Sequence, residues 1–221
     1  MSLEVLRPEG TVRKSIILQP GEKKHLVVDS VSANGDMYLD CKLSKDTSLT
    51  IEYIAVSGRN AANFQFELEE QASLTFDGAF ALAGKDRLDF NYKTTHLGTE
   101  SKSCFNLVGT LDGEAQKNST ETIDFRAGAT NAEGSESEKI TLFSDSAKNT
   151  AQPIILCDEE NMHGEHSFSS GHLDPEVVNY LRARGVDFAT AKKIISREQI
   201  LRVVKLCKNK DIIEKIHEAL Q

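Results

Sequence analysis

From Arg13 to about Leu156, apolar residues recur at every second position in short runs punctuated by turn residues. Met37, Leu39, Cys41 and Leu43 alternate with Tyr38, Asp40 and Lys42, the period of a strand with one buried face. Ile51, Tyr53 and Ala55 keep the same period, as do Phe64, Phe66 and Leu68. Pro20-Gly21, Asn34-Gly35, Gly58-Arg59-Asn60, Asp77-Gly78 and Asp112-Gly113 read as the turns between strands. One internal echo is visible: Thr47-Ser48-Leu49-Thr50-Ile51 returns 25 residues later as Ala72-Ser73-Leu74-Thr75-Phe76. A period in that range marks units that bury their faces by stacking, although a β-sandwich accommodates a single echo equally well.

The pattern changes at Asp174. Asp174 can cap a helix, Pro175 fits its first position where a missing N–H costs nothing, and Glu176 suits the positive end of the dipole. Arg182 and Arg184 close the helix, and Gly185 is free to turn left-handed. Beyond it Phe188, Ala191 and Ile195 share a face, and Ser196-Arg197-Glu198-Gln199 has capping-box spacing that predicts a new helix. Ile200, Val203, Val204 and Cys207 continue as a helical stripe. Asp211 opens a last helix with Ile212, Ile213, Ile216 and Leu220 on its buried side. Such short helices must pack on each other or on a partner. The division expected is therefore a body over 1–173 and a helical appendage over 174–221.

Charge sharpens this division. The net charge of −8 disfavours nucleic acid, whose phosphates need a basic face. From Asp174 to Gln221 there are ten Lys/Arg against seven Asp/Glu, so the tail carries +3 and the rest −11. A tail of opposite sign is a candidate surface for a partner that the body does not meet. No apolar run approaches the ~20 residues of a membrane span, and no leader precedes the first strand. Four scattered cysteines without a C-x-x-C pair argue for a reducing cytoplasm rather than a disulfide framework.

Candidate chemistry concentrates where the two patterns meet. Cys157, His163, Glu165, His166 and His172 fall close together beside Asp158, Glu159 and Glu160. Thiolate, imidazole and carboxylate suit iron or zinc, but the spacing matches no closed zinc module, and one cysteine is too few for a self-contained cluster site. Cys41 and Cys207 lie on apolar stripes and read as core; Cys104 is ambiguous, and His96 reads as a turn or packing histidine rather than a ligand. Gly78 to Lys85 imitates a phosphate loop but has five residues between its glycines, and Asp86 stands where Ser or Thr must hold magnesium. With no other catalytic or dinucleotide signature, the expectation is a chain that is not an enzyme and binds no nucleotide itself.

Taken together, Ser144-Asp145, Ala147, Thr150, Pro153, Glu159-Glu160, His166, Gly171-His172-Leu173-Asp174 and Tyr180-Leu181-Arg182-Ala183-Arg184-Gly185-Val186 resemble the C-terminal signature of the SufB/SufD family of iron–sulfur cluster assembly proteins. Looser matches run upstream through Asp89, His96, Ser103 and Gly109, and the family's N-terminal helical segment has no counterpart here. The resemblance implies a mainly β chain, a right-handed parallel β-helix with a small C-terminal α-helical appendage. It implies dimerisation through the β-helix, as a homodimer or a SufB/SufD-type heterodimer, and an ABC-type ATPase, SufC-like, on the C-terminal helices. The cargo implied is a transient iron–sulfur cluster or its iron.

His166 occupies the family's histidine position, so His166, Glu165 and Cys157 are the expected cluster-holding residues, with His163 joining His166 and Glu165 as a metal ligand. His166 and Glu165 are expected side by side in a short loop between the last core strand and the capped helix. Gly164-Glu165-His166-Ser167 keeps the SufB-like Glu-His and loses the second glutamate, and glycine stands where SufD-type chains carry cysteine. Glu138 falls near the position of the SufB-type upstream cysteine, leaving Cys157 as the nearest substitute thiol. The rival readings are a β-helix or β-sandwich interaction module, a structural relative that has lost the cluster site, or a carbohydrate-acting β-helix enzyme. The absence of Trp and the presence of only four Tyr weigh against the last.

Overall fold

The structure is a computed structural model that describes residues 2–31, 35–204 and 210–220. Asn34 and Cys207 lie outside the described residues. Thirteen strands come first: β1 (Ser2–Leu6), β2 (Gly10–Leu18), β3 (Lys23–Val31), β4 (Gly35–Leu43), β5 (Ser48–Val56), β6 (Arg59–Leu68) and β7 (Ser73–Leu82). They continue as β8 (Arg87–His96), β9 (Lys102–Leu111), β10 (Gln116–Phe125), β11 (Ala132–Leu142), β12 (Lys148–Cys157) and β13 (Met162–His172). Three helices follow: α1 (Pro175–Arg182), α2 (Phe188–Val204) and α3 (Lys210–Ala219).

Odd-numbered strands form one seven-stranded sheet, in the order β1-β3-β5-β7-β9-β11-β13, and even-numbered strands form a facing six-stranded sheet. Every pairing is parallel. Each coil thus contributes one strand to each sheet and stacks on the last, which is the β-helix architecture and excludes a hairpin-built sandwich. The sequence echo is one step of this stacking: Ser48 to Ile51 on β5 pair with Ser73 to Phe76 on β7.

Alternation along each strand sends one set of side chains into the solenoid. On β4 the inward residues Met37, Leu39, Cys41 and Leu43 are all buried. The middle coils fill with rings: Tyr53, Phe64, Phe76, Phe90 and Phe105 contact one another at centroid separations of 5.1 to 6.4 Å. Glycine makes room where a ring crowds the neighbouring rung. A Cβ on Gly109 would sit 2.3 Å from the Phe80 ring. Asp77-Gly78, read above as a turn, is mid-strand in β7 for the same kind of reason, since a Cβ there would meet Leu107 at 2.7 Å. The turns also stack. Gly21, Asp46, Gln71, Glu100 and Asn131 each have positive φ, and each donates its N–H to a carbonyl in the turn of the next coil.

The outer face of the seven-stranded sheet is apolar in its first half, where Val27, Val31, Ile54, Val56, Ala79 and Ala81 lie under Ile200 and Val203 of α2 and Ile212 and Ile216 of α3. Polar pins fix the docking: Lys192 reaches Asp112 at 2.8 Å and Lys215 reaches the buried Asp29 at 3.1 Å. Helix α1 is capped as read, the Asp174 side chain accepting the Glu176 N–H at 2.8 Å, and Gly185 turns with φ +80°. Ser196-Arg197-Glu198-Gln199, in contrast, begins no helix: α2 runs unbroken through it. Ser196 is buried against the sheet with its Oγ 2.8 Å from Thr110 Oγ1, so its hydroxyl has a tertiary partner in place of a capping role.

Candidate functional site

The chemistry-rich stretch forms the terminal coil, β12 and β13, each the last strand of its sheet. No loop holds His166: it lies in the middle of β13, hydrogen-bonded in register to β11, because the parallel ladder continues without a break from Met162 to His172. This corrects the loop placement and separates the expected partners. Successive side chains of a strand point to opposite faces. Met162 packs against Ile123, Phe125, Ala129 and Ala132, and a Cβ on Gly164 would meet Phe125 at 3.0 Å, so Met162, Gly164, His166 and Phe168 are the inward set. Glu165 and His163 are the outward set; they form an exposed pair at 3.7 Å. On β12, Ile155 packs into the same interior cluster, which makes Cys157 inward as well.

His166 and Cys157 therefore both line the inner face of the terminal coil, and both are exposed because no further coil covers them. Each ends a column running through the solenoid. Phe76, Phe105, Glu136 and His166 pair rung on rung in one sheet, and Leu68, His96, Phe125 and Cys157 in the other. His96 is fully buried, stacked on Phe125 at 4.7 Å, with its ring nitrogens 2.8 Å from Ser101 Oγ and 2.9 Å from Ser103 Oγ. Burial pushes it down to about 4, so it is neutral, as a packing histidine should be.

Sequence reasoning missed what lies beneath this mouth. In the coils below it, the aromatic interior gives way to ionisable groups. Lys117 is fully buried and pairs with Glu138, lies 3.4 Å from Glu121, and donates to Ser119. Asn149 of the terminal coil donates to the other Glu138 oxygen at 3.0 Å. Glu136 is 2 % exposed and neither of its carboxylate oxygens has a hydrogen-bond partner. Burial pushes Glu136 up to about 8 and Glu121 up to about 7. A signal was available: Ile123 and Phe125 fix the parity of β10, and that parity directs Lys117, Ser119 and Glu121 inward.

The remaining candidates are dispersed. His172 lies 3.6 Å from Asp145 on the surface, and Glu159 accepts the Gly128 and Asn161 backbone N–H groups of the turns. Cys41 is a core thiol pushed up to about 12 by burial, and Cys104 accepts a hydrogen bond from Asn106. Among the described residues, no three His, Cys, Asp or Glu side chains gather closely enough to hold a metal ion alone, and no helix is long and apolar enough to cross a membrane.

Residues 37–199 match the family model for the SUF system FeS cluster assembly SufBD core domain. The chain belongs to this family. It is also similar to the iron-sulfur cluster assembly protein SufD of Bacillus subtilis (strain 168), 25% identical over 112 residues. That match takes in 51% of this chain but 26% of the relative, so the chain spans about a quarter of the protein it matches. The family assignment and the solenoid agree: the matched segment runs from the fourth strand through the terminal coil and most of α2.

Proposed function

We propose that this SufBD-family chain is a non-catalytic scaffold of a SUF-type iron–sulfur assembly complex, with the open inner face of its terminal coil as the place where cluster or iron is received. The observation that carries the reading is the placement of Cys157 and His166 on that face, one on each sheet, Cys157 over Phe125 and His166 over the buried Glu136. A thiolate and an imidazole are good iron ligands, and both side chains are exposed at this face. His163 and Glu165, on the outer face, are a separate exposed pair, so the ligand set proposed narrows to Cys157 and His166.

Two partners fit this role. The outer edges of β12 and β13 are unpaired ladder edges, with Leu156 exposed beside them, which suits continuation of the sheets into a second SufBD chain, identical or SufB/SufD-type. Such an end-to-end dimer would enclose the inner face and bring further ligands to it. The helical appendage suits a SufC-like ABC ATPase: α1 buries none of its residues against the body, and Val177, Tyr180 and Phe188 remain exposed on a stretch of net positive charge. A reducing setting such as the cytoplasm suits this role, because it keeps an exposed thiol such as Cys157 unoxidised. Co-expression with a SufC-like ATPase tests the assembly: recovery of a stable complex supports it, and failure of the chain to bind the ATPase under any nucleotide condition contradicts it. The rival, a β-helix module without a cluster site, predicts no loading under anaerobic iron and sulfide.

A further inference from the structure

We infer that Glu136, one rung inside His166, is the carboxylate ligand that joins His166 at the mouth of the solenoid, so that the pair offers a divalent cation such as iron(II) one nitrogen and one oxygen. The inference rests on the reading that His166 receives the metal cargo and adds a residue to it. Three observations carry it. First, β11 and β13 are in parallel register with Glu136 opposite His166, and both side chains belong to the inward set. Neighbouring strands lie ~4.7–4.9 Å apart, so paired residues on one face stack directly. Second, Glu165, the carboxylate adjacent in sequence, is on the opposite face with His163.

Third, Glu136 is a buried acid whose two oxygens accept no hydrogen bond, an arrangement that folding penalises unless something compensates it. The interior cation cannot, because Lys117 is engaged with Glu138, Glu121 and Ser119. A metal ion at the mouth supplies the missing partner. Imidazole with carboxylate suits iron(II), and two protein ligands leave positions open for water, sulfide or a thiolate. That incompleteness agrees with the absence of any group of three ligating side chains among the described residues, and it suits an ion that must be passed on.

The test is anaerobic titration of the full chain with iron(II), and with cobalt(II) as its spectroscopic substitute, read by affinity and by the ligand-field absorption of cobalt. Glu136→Gln keeps the shape and removes the oxygen ligand pair a carboxylate would offer the metal, and a melting curve checks that the fold is retained. We expect Glu136→Gln to weaken binding by about tenfold or more and to shift the cobalt bands, with Glu165→Gln within about twofold of the unsubstituted chain. If His166→Ala loses the metal while Glu136→Gln binds it unchanged, Glu136 is only an interior acid and the inference falls, leaving the role of His166 intact. If the unsubstituted chain takes up no metal, both the inference and the receiving site beneath it fall.

Discussion

Glu165 and His166 are consecutive in the chain and lie on opposite faces of β13. Glu165 faces outward toward His163, 3.7 Å away, whereas His166 stands over the interior with its ring edge-on to Phe168 at 5.8 Å. Adjacency in sequence therefore does not make a joint site, and the two residues should behave independently. Cys157→Ser should lower cluster loading as His166→Ala does, because both line one inner face, while Glu165→Ala should leave it unchanged. Iron and sulfide content after anaerobic reconstitution checks this. Equal losses from Glu165→Ala and His166→Ala would contradict it.

The buried Lys117–Glu138 pair gives a stability prediction. Removing one partner strands an uncompensated charge, so Lys117→Met should cost about 3–5 kcal/mol in unfolding free energy. Adding Glu138→Leu to the same chain should recover most of that loss, since an apolar pair of similar volume removes both desolvation penalties. Urea denaturation of the single and double variants measures the coupling.

His96 gives a pH dependence with a definite sign. Its folded pKa of about 4 lies below the ordinary value of about 6.5, because burial disfavours the imidazolium. Between those values the unfolded chain binds more protons than the folded one. The stability His96 supports is thus complete above about pH 6.5 and declines as pH falls toward 4. Relative to His96→Gln, which cannot titrate, the native chain should lose on the order of 2–3 kcal/mol over that window. A difference between the two chains that stays constant from pH 7 to pH 4 would refute the assignment.

ATPase docking is best tested without truncation, because α2 and α3 cover Val27, Ile54 and Ala79 and their removal would expose that apolar face. Val177→Asp with Tyr180→Asp changes only exposed positions of α1. The pair should abolish co-purification of a SufC-like ATPase and leave the melting temperature within about 2 °C of the native value. Retained binding would move the docking surface elsewhere.

The solenoid was legible in the sequence wherever a strand alternates apolar with polar, as Met37 to Leu43 do, and the echo around Leu49 and Leu74 is a stacked rung. The charged interior was not, because β10 and β11 fully bury only three large apolar residues on their inward faces, Ile123, Phe125 and Ile140, with Leu142 half-buried at the strand end, and their polar inward positions look like solvent-facing ones. Parity transferred from those three residues is what identifies Lys117, Glu136 and Glu138 as inward. The strand identity of β13 was hidden for a related reason: Gly164, His166 and Ser170 occupy inward positions of a last coil that needs no apolar face. At Ser196 the local capping signal was real in composition and was overridden by the tertiary hydrogen bond to Thr110.

The central claim is that the inner face of the terminal coil, through His166, receives the cluster. Its most direct measurement is anaerobic reconstitution of the full chain with iron and sulfide, read by visible absorbance, for the native chain, His166→Ala and His163→Ala. The native chain and His163→Ala should develop the same absorbance, and His166→Ala should develop little while keeping its melting temperature. Equal absorbance from all three chains, or equal loss from both histidine variants, would contradict an inner-face site at His166.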